Sequence, residues 1–295
     1  MPGPGASLKR LIAERAPQIA RPIAPTVAPG VYDGLSAAMA RRAGFKAVYA
    51  SGGAIARSMG LPDLGLVAMS EMAQRLTQIV EAAGIPVLAD ADTGHGTALH
   101  VRRTVRSFEA TGIAGLHIED QGFPKRCGHL AGKSLAPTAE MVGKIEAAVE
   151  ARRDPDFVIA ARSDAIAVEG FEAAMARATA YKAAGADILF VEAPETAEQI
   201  EAIPERLPGP LMINMFRGGR TPATSPERLG ALGYGLVIIA SDLQRATILA
   251  MERVLAAIRT DGDSAAVDAL LAPLPARDEA IEQDDWLDFA ARHGG

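Results

Sequence analysis

The chain is short of several features, and each absence removes a class of protein. It holds one cysteine, Cys127, in 295 residues, so an internal disulfide framework is excluded. Its longest apolar stretches, such as Leu236 to Ala240, are strand-sized. That is far short of the roughly 20 residues needed to cross a bilayer, and no membrane partner is expected. There is no block of lysine and arginine that could track a phosphate backbone, and 30 basic residues against 36 acidic ones leave a formal charge of −6; nucleic acid is not an expected partner. The opening Met1-Pro2-Gly3-Pro4-Gly5 leads into a charged segment without the apolar run of a signal peptide, which gives a cytoplasmic, reducing setting as the expectation. No low-complexity linker cuts the chain, and no His or Cys cluster has zinc-ligand spacing.

What the chain does have is a repeated alternation. Hydrophobic residues make up 49% of it, enough for a sizeable core. Short runs rich in Val, Ile and Leu are each followed by a Gly, Asp or Pro turn and then by an Ala-rich stretch of helical spacing. Strands are expected at 26–31, 47–51, 86–90, 115–119, 157–162, 188–192, 211–214 and 236–241, with helices between them such as 70–83, 98–110, 139–151, 170–184 and 226–232. The phrases Arg42-Ala43-Gly44, Glu109-Ala110-Thr111-Gly112 and Lys182-Ala183-Ala184-Gly185 end three helices on glycine, the residue that most easily takes a left-handed turn. Eight βα units with non-alternating, doubly buried strands predict one α/β domain over 1–295, a (β/α)8 TIM barrel rather than an open sheet of five or six strands. An N-terminal amphipathic helix over 1–20 and a C-terminal helical extension over 262–295 flank the repeat, with Trp286 and Phe289 as apolar anchors. Such extensions often pack against another subunit, and a homo-oligomer is expected.

A barrel carries its chemistry at the C-terminal ends of its strands, and here those ends are acidic. The third strand closes on Asp90-Ala91-Asp92, the fourth on Glu119-Asp120 and the sixth on Glu192. A single Asp in such a place commonly caps a helix or forms a turn, but a rim of carboxylates calls for a cation. Oxygen ligands alone suit Mg²⁺, or Mn²⁺, held by one or two carboxylates with water and substrate oxygens. His95, His100 and His117 have no ligand spacing and are read as structural.

The most informative stretch follows the fourth strand: His117-Ile118-Glu119-Asp120-Gln121, then Lys125-Arg126-Cys127-Gly128-His129. A cysteine flanked by Lys, Arg and His has neighbours that favour thiolate, on a loop whose glycines allow closure. It can serve as acid or base. A lone buried cysteine is commoner, yet charged neighbours argue against burial.

Here the chain resembles the isocitrate lyase and phosphoenolpyruvate mutase superfamily, because Lys125-Arg126-Cys127-Gly128-His129 looks like its lyase signature. The likeness runs from about Val31 to Arg245 and includes Tyr49-Ala50-Ser51-Gly52-Gly53, Gly60-Leu61-Pro62-Asp63-Leu64-Gly65, Asp90-Ala91-Asp92-Thr93-Gly94, Ala161-Arg162-Ser163-Asp164-Ala165 and Asn214-Met215. It implies a Mg²⁺-dependent cleavage of the C2–C3 bond of a 2-hydroxy di- or tricarboxylate, of 2-methylisocitrate or 2,3-dimethylmalate type, to a 2-oxo acid and a second carboxylate. Cys127 would protonate the departing carbon. Asp90 and Asp92 would sit beside the metal, with Asp63 and Glu119 holding its waters. Ser51, Gly52 and Gly53 would offer donors to a carboxylate, and Tyr49 would partner the hydroxyl. Arg162 would clamp a carboxylate, Gly128 and His129 would contact the second carboxylate when the loop closes, and Lys125, Arg126, Glu192 and Asn214 would complete the rim. A homotetramer or dimer with an exchanged C-terminal helix is also implied.

Two places depart from the short lyases of this superfamily. Arg217 stands where they often carry Glu in an Asn-Met-x-Glu-Gly-Gly segment, and Ala240-Ser241-Asp242 replaces an apolar turn containing proline. Both bear on substrate preference. An oxaloacetate hydrolase or decarboxylase fits the same scaffold, and a non-catalytic dicarboxylate-binding barrel is the reading from another class.

Overall fold

The structure is a computed structural model, and it describes residues 2–13, 24–128 and 132–294. Helix and strand follow one another as α1 (Pro4–Ala13), β1 (Thr26–Val31), α2 (Gly34–Arg42), β2 (Val48–Ala50), α3 (Gly52–Ser58), α4 (Met69–Ala83), β3 (Val87–Asp90), α5 (Ala98–Glu109), β4 (Gly115–Glu119), α6 (Thr138–Ala151), β5 (Val158–Ser163), α7 (Ile166–Glu169), α8 (Phe171–Ala183), β6 (Ile188–Val191), α9 (Ala197–Arg206), β7 (Leu211–Asn214), α10 (Pro226–Leu232), β8 (Tyr234–Ile239) and α11 (Asp242–Asp261). Each strand pairs in parallel with the next, and β8 pairs with β1, closing the barrel. The (β/α)8 architecture expected from the strand count is therefore the one observed.

Strands buried on both faces explain why the apolar runs do not alternate with polar residues. One face of each strand fills the barrel interior, where Ala28, Tyr49, Leu88, Ala160, Phe190, Met212 and Ile238 belong to one cluster. The opposite face packs on the helices through residues such as Val48, Ala89, Ile118, Ile159, Leu189, Ile213 and Val237. β8 begins at Tyr234 rather than Leu236 and ends at Ile239 rather than Ser241. Its pairing with β7 accounts for the earlier start: Leu211 faces Tyr234 while Met212 faces Leu236, an irregularity that takes up an extra residue.

The N-terminal helix is observed over Pro4–Ala13, and the remainder of its expected span falls outside the described residues. Its apolar face is used within the chain. Leu8 and Ile12 are buried in the barrel-interior cluster, so the helix plugs the N-terminal end of its own barrel. Gly235 on β8 makes room for it, since a Cβ there would lie 2.7 Å from Ile12 Cγ2, and Lys9 Nζ ties the plug to the Pro155 carbonyl at 2.9 Å. At the other terminus a 3₁₀ turn (Ala265–Leu270), α12 (Leu274–Glu279) and α13 (Gln283–His293) follow α11. Trp286 and Phe289 are 74% and 57% exposed there, uncovered by this chain. No helix among the described residues is long and apolar enough to cross a membrane.

Candidate active site

Side chains alternate faces along a strand, so residues two apart share the barrel interior. From the interior anchors Leu88, Ala160, Phe190 and Met212, the same face next presents Asp90, Arg162, Glu192 and Asn214 at the strand ends; His117 and then Glu119 do so on β4. A sequence of apolar strands thus delivers a ring of charge to one mouth. Asp90, Glu119, Arg162, Glu192 and Asn214 line a cavity of about 220 Å³ together with Tyr49, Ser51, Gly53, Asp63, Lys125, Arg126, Cys127 and Gly128.

Asp90 lies at the bottom of this cavity in a web of donors. Its Oδ1 accepts from the Asp92 N–H at 2.9 Å, and its Oδ2 from Tyr49 Oη at 3.2 Å and the Gly52 N–H at 3.3 Å. Burial alone would raise its pKa, but His117, Lys125 and Arg162 outweigh it and hold the carboxyl well below the usual range. Tyr49 Oη also meets His117 Nε2 at 2.9 Å. A proton on that nitrogen lets His117 donate to Tyr49 and Tyr49 donate to Asp90 in series. Burial drives His117 down to about 4, so the ring is neutral near pH 7, and burial with Asp90 beside it pushes the Tyr49 phenol well up. Gly52 opens α3 with no room for a side chain, because a Cβ there would come within 2.7 Å of Asp90 Oδ2.

The cation test turns on Glu119. It is buried, Arg162 Nε stands 3.3 Å from its Oε2, and its Oε1 has no hydrogen-bond partner among the described residues. Burial pushes its pKa well up despite Arg162. An ionised Asp90 and an orphaned Glu119 oxygen on one cavity, beside the hydroxyls of Tyr49 and Ser51, suit a hard divalent cation. Among the described residues no three His, Cys, Asp or Glu side chains form a complete ligand set, and a cation held by one or two carboxylates plus substrate oxygens needs none.

Asp63 and Asp92 are both taken up by Lys125, whose ammonium pairs with each. Burial opposes that charge, yet Asp92, Glu119, Asp90 and Asp63 together raise the Lys125 pKa well above its ordinary value. Asp92 lies on an outer cavity, with Lys125 between it and the central one. Arg162 is gripped from three sides: besides Glu119, Asp164 accepts from its Nε and Nη2 at 2.9 and 3.1 Å, and Glu192 Oε1 stands 3.8 Å from Nη2. Asn214 Nδ2 donates to that same Glu192 oxygen at 3.3 Å.

The loop carrying Cys127 is folded onto this ring. The Gln121 amide clamps the main chain of Arg126 at both ends, donating to its carbonyl and accepting from its N–H at 2.8 Å each. Gly128 rests against Arg162 and Glu192; a Cβ there would lie 2.5 Å from Glu192 Oε1, so only glycine lets the backbone approach this closely. Cys127 is half-buried on the cavity wall. His129 lies outside the described residues.

The residues expected around one site therefore meet there, except that His129 has no described position and Asp92 turns to the outer cavity. Ser51 and Gly53 line the centre, while the Gly52 N–H is engaged by Asp90. Sequence reasoning missed His117, Asp164, Lys133, Arg57, Gln244 and Arg245. His117 had one available signal, its place on the same strand face as Glu119. The departure at Ser241 also reaches the site: the side chain lines the cavity, and its Oγ is buried without a hydrogen-bond partner among the described residues. Arg245 lies over the Phe216 ring at 5.6 Å and donates to the Arg217 carbonyl at 2.7 Å, so at Arg217 it is the main chain that Arg245 engages.

A closed parallel barrel whose inward charges collect at the C-terminal mouth is the architecture of a (β/α)8 enzyme for small polar molecules. Sequence comparison narrows the class. The phosphoenolpyruvate phosphomutase family matches residues 17–259, and the chain belongs to the phosphoenolpyruvate mutase/isocitrate lyase superfamily. It is 47% identical over 242 residues to the 2,3-dimethylmalate lyase of Eubacterium barkeri, covering 82% of this chain and 84% of that protein. It is 45% identical over 259 residues to the 2-methylisocitrate lyase of Aeropyrum pernix, covering 88% and 81%. Among solved structures, oxaloacetate acetylhydrolase with 3,3-difluorooxalacetate superposes with a TM-score of 0.91 at 32% identity over 99% of this chain and 98% of that one. Phosphonopyruvate hydrolase, solved with oxalate and Mg²⁺, gives 0.87 at 30% identity over 100% of both.

Proposed function

We propose that this enzyme is a Mg²⁺-dependent carbon–carbon lyase that cleaves the C2–C3 bond of a 2-hydroxy di- or tricarboxylate, releasing pyruvate and a second carboxylate. The single observation that carries the reading is the placement of Cys127 on the same cavity as Asp90, Glu119 and Arg162. Relatives named 2,3-dimethylmalate lyase and 2-methylisocitrate lyase support that substrate type.

Asp90 and Glu119 are the residues that would hold Mg²⁺, directly or through water, with Asp63 and Asp92 as outer carboxylates. Bound there, the ion would lower the pKa of the C2 hydroxyl. The hydroxyl proton passes to solvent water, and Cys127 regains one from solvent once the products have left. Tyr49 faces that hydroxyl from beside Asp90. Arg162 holds a substrate carboxylate through the guanidinium N–H groups that Asp164 leaves free, supported by the Gly53 end of α3 and by Asn214. As the C2–C3 bond breaks, its electron pair goes to the departing carbon and C2 becomes the carbonyl of the oxo acid. Cys127 then gives its proton to that carbon, so the second product leaves as a carboxylate rather than as an enolate. A reducing compartment suits this role, since an oxidised thiol cannot donate. His129, next to Gly128 in sequence, belongs to this proposal as a loop contact to substrate.

A second reading has its own support. Oxaloacetate acetylhydrolase shares the barrel, and the same cavity could stabilise the leaving enolate of oxaloacetate. Mass spectrometry of products after incubation with Mg²⁺ and, separately, 2-methylisocitrate, 2,3-dimethylmalate, isocitrate and oxaloacetate decides between them. Pyruvate from a branched acid supports the lyase. Oxalate plus acetate from oxaloacetate would replace it with the hydrolase, and pyruvate from oxaloacetate above the enzyme-free control with a decarboxylase. Failure to turn over any acid, with ligand binding retained, would favour a binding barrel.

We also propose a homo-oligomer, a tetramer or dimer, whose second copy covers the apolar side chains left open on α11 to α13, including Leu249, Leu255, Ile258, Trp286 and Phe289.

A further inference from the structure

The catalytic proposal does not use Lys133, although its side chain is 1% exposed and lies against Asp164, which is 0% exposed. The Lys133 ammonium donates to Asp164 Oδ1 at 2.8 Å and to the carbonyl of Gly128. Asp164 is at the same time the partner of Arg162, through 2.9 and 3.1 Å bonds, and its own N–H is anchored to Asp120 Oδ1 at 2.8 Å. One carboxylate therefore serves two cations: Arg162 from the strand end, and Lys133 from the far arm of the loop that carries Cys127. From this geometry we infer that Lys133 is a positioning residue, which holds Cys127 at the cavity by sharing Asp164 with Arg162 and by fixing the carbonyl of Gly128 next to it.

The physical case rests on desolvation. An ammonium buried this deeply has given up its water and is compensated only while both acceptors are in place. The near arm has other holds, Lys125 on Asp63 and Asp92 and the Gln121 clamp on Arg126. On the far arm the ammonium bears on the residue immediately after Cys127. Proton donor and carboxylate clamp are thus each one contact away from the same group.

This inference rests on the lyase reading for its catalytic consequence, but its test does not need turnover. Cys127 is the only cysteine in the chain, so alkylation by iodoacetamide reports on that loop alone. Lys133→Met is expected to raise the alkylation rate at pH 7.5 by about tenfold or more, the equivalent of losing charge-assisted hydrogen bonds. Its kcat is expected to fall roughly 100-fold, as for misplaced catalytic groups, and Lys133→Arg should restore protection and most of the turnover. A Lys133→Met protein that is less stable to heat but is alkylated within about twofold of the wild-type rate would reduce Lys133 to a structural ion pair and overturn the inference. Should Lys133→Met fail to fold, Lys133→Gln, which keeps a donor and drops the charge, carries the same expectations. A wild type that cleaves none of the four acids would sink the lyase reading, and the alkylation contrast would still decide the positioning role.

Discussion

Cys127 and Asp90 divide the proposed chemistry between them, one supplying a proton and the other a buried negative charge. Cys127→Ser keeps the size and loses acidity, so turnover should fall by roughly 10²–10⁴-fold while the melting temperature and Mg²⁺ affinity stay at the wild-type values; retained activity would remove the thiol from the mechanism. Asp90→Ala deletes the acceptor shared by Tyr49, Gly52 and Asp92. It should abolish Mg²⁺ binding measured by calorimetry together with turnover, and normal affinity would refute its role. These residues were legible because they break apolar strands with acid at the barrel mouth, or stand in a charged glycine-containing loop. His117 was not, because a histidine inside an apolar strand reads as core until the barrel closes and brings Tyr49 and Asp90 to it. Nor was the Lys133–Asp164 pair, whose members lie 31 positions apart in the chain and meet only through the loop's path.

Among the elements, the strands were readable because both of their faces are buried, so short runs of Val, Ile and Leu mark them without alternation. The start of β8 was not, because a register irregularity against β7 depends on the partner strand. An amphipathic α1 announces an apolar face and says nothing of what that face covers; only the closed barrel shows it to be a plug. Leu8→Ala should therefore destabilise the monomer by roughly 2–5 kcal/mol, measurable by urea unfolding, whereas a helix docked on another subunit would show a loss dependent on protein concentration. Two buried phenols on α8 and β8 give a pH dependence of stability. Burial raises both Tyr181 and Tyr234 above their ordinary value of 10, so the fold holds them neutral where the unfolded chain ionises. Their contribution is fully present below about pH 10 and is lost as the pH rises above it. Tyr234→Phe removes a 2.9 Å bond to the Ile200 carbonyl. It should cost about 1 kcal/mol at pH 7 and flatten the decline in melting temperature above pH 10; an unchanged alkaline slope would assign that decline elsewhere.

The whole molecule is a barrel closed at one end by α1 and roofed at the other by the Cys127 loop, with an apolar C-terminal flank still open. Burying that flank against a second copy would remove large hydrophobic side chains from water. Sedimentation equilibrium should give a multiple of the 30.7 kDa chain, and Trp286→Asp should shift it toward the monomer. The measurement closest to the central claim is pyruvate release from 2,3-dimethylmalate and 2-methylisocitrate by the wild type and by Cys127→Ser, each with Mg²⁺ and again after chelation. The account predicts pyruvate only from wild type with metal. Equal pyruvate from the serine variant, or turnover that survives chelation, would contradict it.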